Sequence, residues 1–154
     1  MGRYFRNTAD TMKPKVIIAD DHPIVVQGIT DLLEKSGNMD VLASFNDGRS
    51  LLQSPLLTKA DVLLLDLNMP QIDGLQLLDR FRTLGLSLKI IVITSYVSAE
   101  LAAQCRNAGA SGYLVKTEKL HCLISTIEDV IAGIPVFPVF SASNETTNDF
   151  SYFD

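Results

Sequence analysis

Five short apolar runs, each followed by a stretch with helical spacing, predict an α/β chain with a doubly wound, five-stranded parallel sheet. Strand-helix-strand crossovers are right-handed, which leaves few other ways to join such units. Three of the runs also end in charge. Lys15-Val-Ile-Ile-Ala19 ends at Asp20-Asp21, Asp61-Val-Leu-Leu-Leu65 at Asp66, and Gly112-Tyr-Leu-Val115 at Lys116. Neighbouring parallel strands would bring three carboxylates and one ammonium to the carboxyl edge of one sheet, where open α/β sheets bind their ligands.

The elements follow in order. Residues 1–14 read as an extension, with Pro14 ahead of the first strand at 15–19. Pro23 stands where a helix can begin, Ile24, Gly28, Leu32 and Leu33 follow at helical spacing, and Gly37 supplies the stop. Residues 40–45 read as the second strand, 48–53 as a short helix broken by Pro55, and 61–65 as the third strand. Leu75, Leu78 and Phe81 form a helix stripe ending near Gly85, and 88–93 is an uninterrupted apolar strand ending at Thr94. Ser98 is placed to cap a helix running to Gly109, whose main large apolar residue is Leu101, so that this helix should be loosely held. Residues 111–115 are the fifth strand. A last helix at about 118–132 would turn Leu120, Leu123, Ile124, Ile127 and Ile131 to one face. The expected strand order is 2-1-3-4-5, flavodoxin-like, with the first and third strands flanking the switch point.

From Ile134 the periodicity stops. Ile134–Phe140 is apolar but broken by prolines, 141–148 reads as a polar linker, and Phe150, Tyr152 and Phe153 make an acidic aromatic end. The expected organisation is an extension over 1–14, a domain over 15–133 and a linker and tail over 134–154.

At 154 residues and 47% hydrophobic content the chain suits one globular domain, burying about two-thirds of its unfolded surface. No apolar run approaches the roughly 20 residues of a membrane span, and the N-terminal residues lack an apolar signal region. A cytoplasmic protein is expected. Cys105 and Cys122 form no CxxC pattern and read as two reduced, packed thiols. Net charge is −5, and every charged residue after Lys119 is acidic, which argues against nucleic-acid contact by that stretch.

Clustered carboxylates repel by about 4 kcal/mol per pair at ~4 Å and an effective dielectric near 20. A hard cation such as Mg²⁺ removes that penalty and bridges to phosphate oxygens. Asp66 reads as a nucleophile able to form an acyl phosphate, Asp21 as a metal ligand, and Asp20 as a ligand or the holder of a metal-bound water. The Thr94 hydroxyl would donate to a phosphoryl oxygen, and Lys116 would clamp the phosphoryl charge. Two histidines, His22 and His121, read as structural. A phosphatase of the haloacid-dehalogenase type would need an acid two residues after the nucleophile, where Asn68 stands. A nucleotide-binding module would need a phosphate cradle after the first strand, where Asp20-Asp21-His22-Pro23 places negative charge instead.

Asp20-Asp21, Asp66 with its Met69-Pro70 and Asp73-Gly74 trailer, Thr94, and Gly109-Ala-Ser-Gly-Tyr-Leu-Val-Lys116 together resemble the receiver domain of two-component response regulators. The resemblance covers about residues 15–133 in order and spacing. The Asp-Asp-His-Pro opening and the Ala132-Gly133 to Pro138 ending are similar to the LuxR/NarL-type subfamily. Val26-Gln27 stands where those relatives often carry an arginine.

The resemblance implies a CheY-like fold and a phosphoacceptor at Asp66. It implies Mg²⁺ (or Mn²⁺) held by Asp20, Asp21, Asp66 and the Asn68 main-chain carbonyl, phosphoryl contacts from Thr94, Ser95 and Lys116, and a switch pairing Thr94 with Tyr113. The implied partners are a sensor histidine kinase or phosphotransfer protein, and a second copy on phosphorylation. DNA would be reached only through a helix-turn-helix output domain beyond this chain. Chemistry would be limited to self-catalysed phosphoryl transfer and slow loss, as in a signalling module. A pure interaction module that has lost phosphorylation is disfavoured because every required residue is present.

Overall fold

The computed structural model describes residues 13–116, 120–140 and 150–152. Strands β1 (Lys15–Ala19), β2 (Asp40–Phe45), β3 (Val62–Asp66), β4 (Lys89–Thr94) and β5 (Gly112–Val115) form one parallel sheet in the order β2-β1-β3-β4-β5. Helices α1 (Pro23–Ser36), α2 (Gly48–Leu52), α3 (Gly74–Leu84) and α4 (Ala99–Asn107) occupy the crossovers, and α5 (Leu123–Ile131) follows β5. The expected doubly wound, flavodoxin-like order is the one adopted.

Side chains alternate across a strand, and here that alternation divides the core in two. Ile17, Leu63, Leu65 and Val92 pack with Leu51 of α2, Leu77, Leu78 and Phe81 of α3, and Ala102 and Cys105 of α4. Val16, Ile18, Leu64, Ile91 and Ile93 pack with Ile29 and Leu33 of α1 and with Leu123, Ile127 and Val130 of α5. Each fully buried aliphatic side chain contributes roughly 1.5–3 kcal/mol. This double burial is what fixes the strand register, and the register brings the strand ends level.

Local signals behave largely as their chemistry requires. Pro23 is the first residue of α1, and Gly37 ends it in the left-handed region at φ 71°. The Ser98 hydroxyl accepts from the Leu101 N–H at 3.0 Å, and an Asp73 carboxylate oxygen from the Leu75 N–H at 2.7 Å. The Cys105 thiol is buried, which pushes its pKa up to about 11, and Cys122 is half-buried; both are free.

Helix faces depart from the expected stripes. On α1, Ile29 and Leu33 are the buried pair, whereas Ile24 is 87% exposed and Gly28 lies on the outside. Ile24 sits in the first turn and joins neither core cluster. The last helix starts at Leu123 after a 3₁₀ turn at Leu120–Cys122, and 117–119 lie outside the described residues. Its buried stripe is Leu123, Thr126, Ile127 and Val130, which leaves Ile131 exposed. Helix α4 buries only Ala102 and Cys105, with Leu101 half-buried.

Beyond α5 the chain, which shows no sequence periodicity there, returns along the β5 edge. Val136 forms a parallel bridge with Gly112: its N–H donates to the Ser111 carbonyl at 3.1 Å, and its carbonyl accepts from the Tyr113 N–H at 2.9 Å. Phe137 is buried, with the Arg106 guanidinium of α4 4.8 Å from its ring centroid. Strand β6 (Pro138–Phe140) then pairs antiparallel with β7 (Phe150–Tyr152). Residues 1–12 of the expected extension over 1–14, residues 141–149, which include the polar stretch, and residues 153–154 lie outside the described residues.

Phe137→Ala should therefore cost about 3 kcal/mol, read as a lowered urea midpoint with unchanged slope. A solvated linker position would change stability by less than about 0.5 kcal/mol.

Candidate functional site

The carboxyl ends of β1, β3, β4 and β5 converge because the register aligns Ala19 with Leu65, Asp66 with Ile93, and Thr94 with Val115. The residue after β1 is thereby set beside the last residue of β3. Asp20 and Asp66 are both about 99% buried, a placement that carboxylates tolerate only when paired.

Their partner is Lys116. Its Nζ lies 2.6 Å from Asp20 Oδ2 and 3.2 Å from Asp66 Oδ2, and its side chain is nearly buried. Asp66 Oδ1 accepts from the Asn68 N–H at 3.0 Å. Asp20 Oδ1 accepts both from the His22 main-chain N–H and from His22 Nδ1, each at 2.8 Å. His22 Nδ1 also lies 3.2 Å from Asp21 Oδ1 and 3.6 Å from Asp66 Oδ2. Sequence reasoning set His22 aside as structural, because no carboxylate beyond the strand-end pair stands near it in the chain. The fold puts its ring in the middle of three.

The loop after β3 is held tightly. A Cβ on Gly74 would lie 2.5 Å from Leu67 Cδ2 and 2.6 Å from Leu67 Cα, so only glycine lets α3 start this close to the strand end. Gln71, which follows Pro70, sits at φ 80°, a left-handed conformation costing a non-glycine residue roughly 1–2 kcal/mol. Together these fix the Asn68 N–H over Asp66.

Thr94 is fully buried at the end of β4, where its Oγ1 accepts from the Tyr96 N–H at 3.2 Å; Ser95 is exposed on the loop beyond. Tyr113 is buried within β5, and its hydroxyl donates to the Tyr96 carbonyl at 2.8 Å. Tyr96, a residue the sequence analysis did not single out, thus links Thr94 to Tyr113 through its own main chain. Nothing in its type announces that role, since any residue offers the same N–H and C=O. His121 is exposed on the 3₁₀ turn before α5.

The two buried carboxylates are driven apart electrostatically. Burial raises the Asp20 carboxyl, yet the Lys116 and His22 hydrogen bonds outweigh it and hold Asp20 below its ordinary range. For Asp66 burial prevails over the Asn68 N–H and Lys116, and its carboxyl is raised. The hydrogen bond to Asp20 raises the His22 imidazole.

Among the described residues, the buried side-chain oxygens without a hydrogen-bond partner are Asp20 Oδ2, Asp21 Oδ1 and Asp66 Oδ2. Lys116 pairs ionically with two of them. Asp20, Asp21, His22 and Asp66 each bring one ligand-capable atom, all within 4.8 Å of one another. Oxygen donors left over at one point suit a hard divalent cation.

Residues 16–128 match the family model described as the response regulator receiver domain. The chain belongs to the receiver domain family of response regulators. This receiver is 33% identical over 138 residues to the virulence-factor transcription regulator BvgA of Bordetella pertussis, covering 90% of this chain and 66% of that protein. It is 32% identical to the DNA-binding transcriptional activator EvgA of Escherichia coli, covering 79% of this chain and 59% of EvgA. The receiver thus spans about two-thirds or less of these relatives' lengths. Among solved structures, the isolated receiver domain of RcsB from Salmonella enterica serovar Typhimurium, with the phosphate mimic BeF₃⁻, matches with a TM-score of 0.75 and 30% identity over 82% of this chain and 94% of that one. The receiver domain of NarL from Mycobacterium tuberculosis matches with a TM-score of 0.73 and 29% identity over 79% and 98%.

Two outcomes test this geometry. Gly74→Ala should destabilise the receiver by roughly 1–3 kcal/mol, seen in urea unfolding, because the new methyl collides with backbone. The second concerns Asp66, whose carboxyl is raised in the folded state above the ordinary 3.8. Its ionisation therefore opposes folding at neutral pH, and that penalty is relieved as pH falls through the folded-state value. With chelator present at pH 7, Asp66→Asn should be more stable than the parent by on the order of 1 kcal/mol, and the gap should narrow in acid.

Proposed function

We propose that this receiver accepts a phosphoryl group on Asp66 from the phosphohistidine of a sensor kinase or phosphotransfer protein, with Mg²⁺, or Mn²⁺ in its place, as cofactor. The observation that carries this reading is the convergence of the Asp20, Asp21 and Asp66 carboxylates at one strand edge, with the Lys116 ammonium paired to two of them.

Asp20, Asp21, Asp66 and the Asn68 main-chain carbonyl are the groups that would hold the ion. When bound, Mg²⁺ neutralises the carboxylates and draws charge from phosphoryl oxygens. The protein's own part is as follows. Asp66 Oδ1 is held by the Asn68 N–H, which leaves Oδ2 with free lone pairs. Oδ2 attacks phosphorus, the P–N bond to the donor imidazole breaks, and its electron pair stays on that ring nitrogen, which takes up a proton. Lys116, already 3.2 Å from Oδ2, meets the charge of the transferred group. The donor can approach along grooves on either side. One of about 520 Å³ is lined by Asn68, Met69, Tyr96 and Leu101, and one of about 450 Å³ by Asp21, Gln27, Asn46 and Ser50.

Two residues beyond the nucleophile, Asn68 supplies an amide where a phosphatase would need an acid to activate water. The acyl phosphate should persist, as suits a signal. Thr94 then donates its hydroxyl to a phosphoryl oxygen, with Ser95 beside it, and any movement of Thr94 reaches Tyr113 through Tyr96. The thinly packed α4 is the element such a shift can move. Dimerisation, and control of transcription through a DNA-binding output domain like those of the relatives, are the outputs this reading implies in a cytoplasmic protein. No helix among the described residues is long and apolar enough to cross a membrane.

Intact mass after incubation with acetyl phosphate tests the proposal. One added phosphoryl group should appear with Mg²⁺, and should be absent with EDTA or in Asp66→Asn. No adduct on the folded parent, with acetyl phosphate and with phosphorylated kinase alike, would sink it.

A further inference from the structure

His22 stands at the N-cap position of α1, yet its side chain makes no capping bond. The ring turns back toward the carboxylates. Its Nδ1 lies 2.8, 3.2 and 3.6 Å from one oxygen each of Asp20, Asp21 and Asp66. Two of those three atoms are among the buried oxygens without hydrogen bonds. Lys116 takes the Oδ2 atoms of Asp20 and Asp66 from inside the domain, and His22 takes Asp20 Oδ1 and approaches Asp21 Oδ1 from outside. The ionic groups that face the ring are Asp20, Asp21, Asp66 and Lys116.

A carboxylate oxygen has no proton to offer, so the 2.8 Å contact is attractive only with the hydrogen on Nδ1. The ring therefore presents an N–H, not a lone pair, to the point where the three carboxylates meet. An N–H in that place cannot ligate a metal, and it excludes one. The side chain is also 59% exposed, whereas that of Lys116 is 7% exposed. The imidazole is thus the group able to swing out.

We propose that His22 is a positioning residue that occupies the cation's place in the metal-free receiver, gathers the three carboxylates there, and is displaced when a divalent ion binds. This inference rests on the divalent-cation reading of the site. Displacement lowers apparent metal affinity in proportion to the time His22 spends in place, so the side chain sets the ion concentration at which the receiver becomes competent.

Titration calorimetry with Mg²⁺ and with Mn²⁺ at one fixed neutral pH tests it, on the full chain, its His22→Ala and His22→Gln variants, and Asp21→Asn as control. His22→Ala should bind both ions about three- to tenfold more tightly. It should at the same time unfold at lower urea in the presence of chelator, because the carboxylates lose their counter-group. A merely structural histidine would lower stability and leave metal affinity unchanged, which overturns the proposal. Weaker binding in His22→Ala, greater for Mn²⁺ than for Mg²⁺, would make the imidazole a ligand and also overturn it. If the parent and Asp21→Asn bind neither ion, the cation reading itself falls, an outcome separate from failure at His22 alone.

Discussion

The structure depends on keeping two buried carboxylates side by side. Asp20 and Asp66 end adjacent strands, and at ~4 Å such a pair repels by about 4 kcal/mol even at an effective dielectric near 20. Lys116, reaching in from β5 across the end of β4, answers both with one ammonium. The arrangement works only if β1, β3 and β5 finish at the same level, so the double-sided packing of the sheet is a condition of the site's chemistry. The compensation is also incomplete. One ammonium shared by two buried carboxylates does not offset the cost of burying Asp66, whose carboxyl is raised. Oxygen ligands gathered in this way are of the kind that suits a hard cation.

The same edge connects to the rest of the molecule by few contacts. Thr94 meets the Tyr96 N–H, the Tyr96 carbonyl meets the Tyr113 hydroxyl, and Tyr113's own N–H meets the Val136 carbonyl. The chain beyond α5 is therefore hydrogen-bonded to the strand that carries Tyr113. Phe137 adds a stacked contact with Arg106 of α4. A shift of β5 or α4 would be felt directly by Val136 and Phe137, with no long pathway to invoke.

Much of this was legible from local chemistry. The runs at β1 to β5 were recognisable because buried parallel strands are short and apolar. The starts of α1 and α4 and the stops of α1 and α3 were recognisable because Pro23, Ser98, Gly37 and Gly85 each satisfy or free a helix end, whereas the Asp73 cap of α3 was not singled out. Helical spacing alone did not identify the buried face, since Ile24 and Ile131 are exposed. A helical period gives the width of an apolar face, whereas the rotation of that face is set by where the helix starts against the sheet. The path of 134–140 was also hidden, since Ile134–Phe140 carries no periodicity, and Val136 lies along β5 only because that strand's edge is open to it.

The amino-acid sequence by itself determined the order of strands and helices, the family, and which side chains end the strands at one edge, because each is written in local composition and spacing. Tertiary structure alone decided the remaining relations. These are the single ammonium of Lys116 spanning two carboxylates, the main chain of Tyr96 joining Thr94 to Tyr113, and the ring of His22 resting between three aspartates. The physical reason is common to all three. Each depends on the distance between atoms far apart in the chain or on a rotamer chosen by its surroundings, and neither is set until the sheet closes.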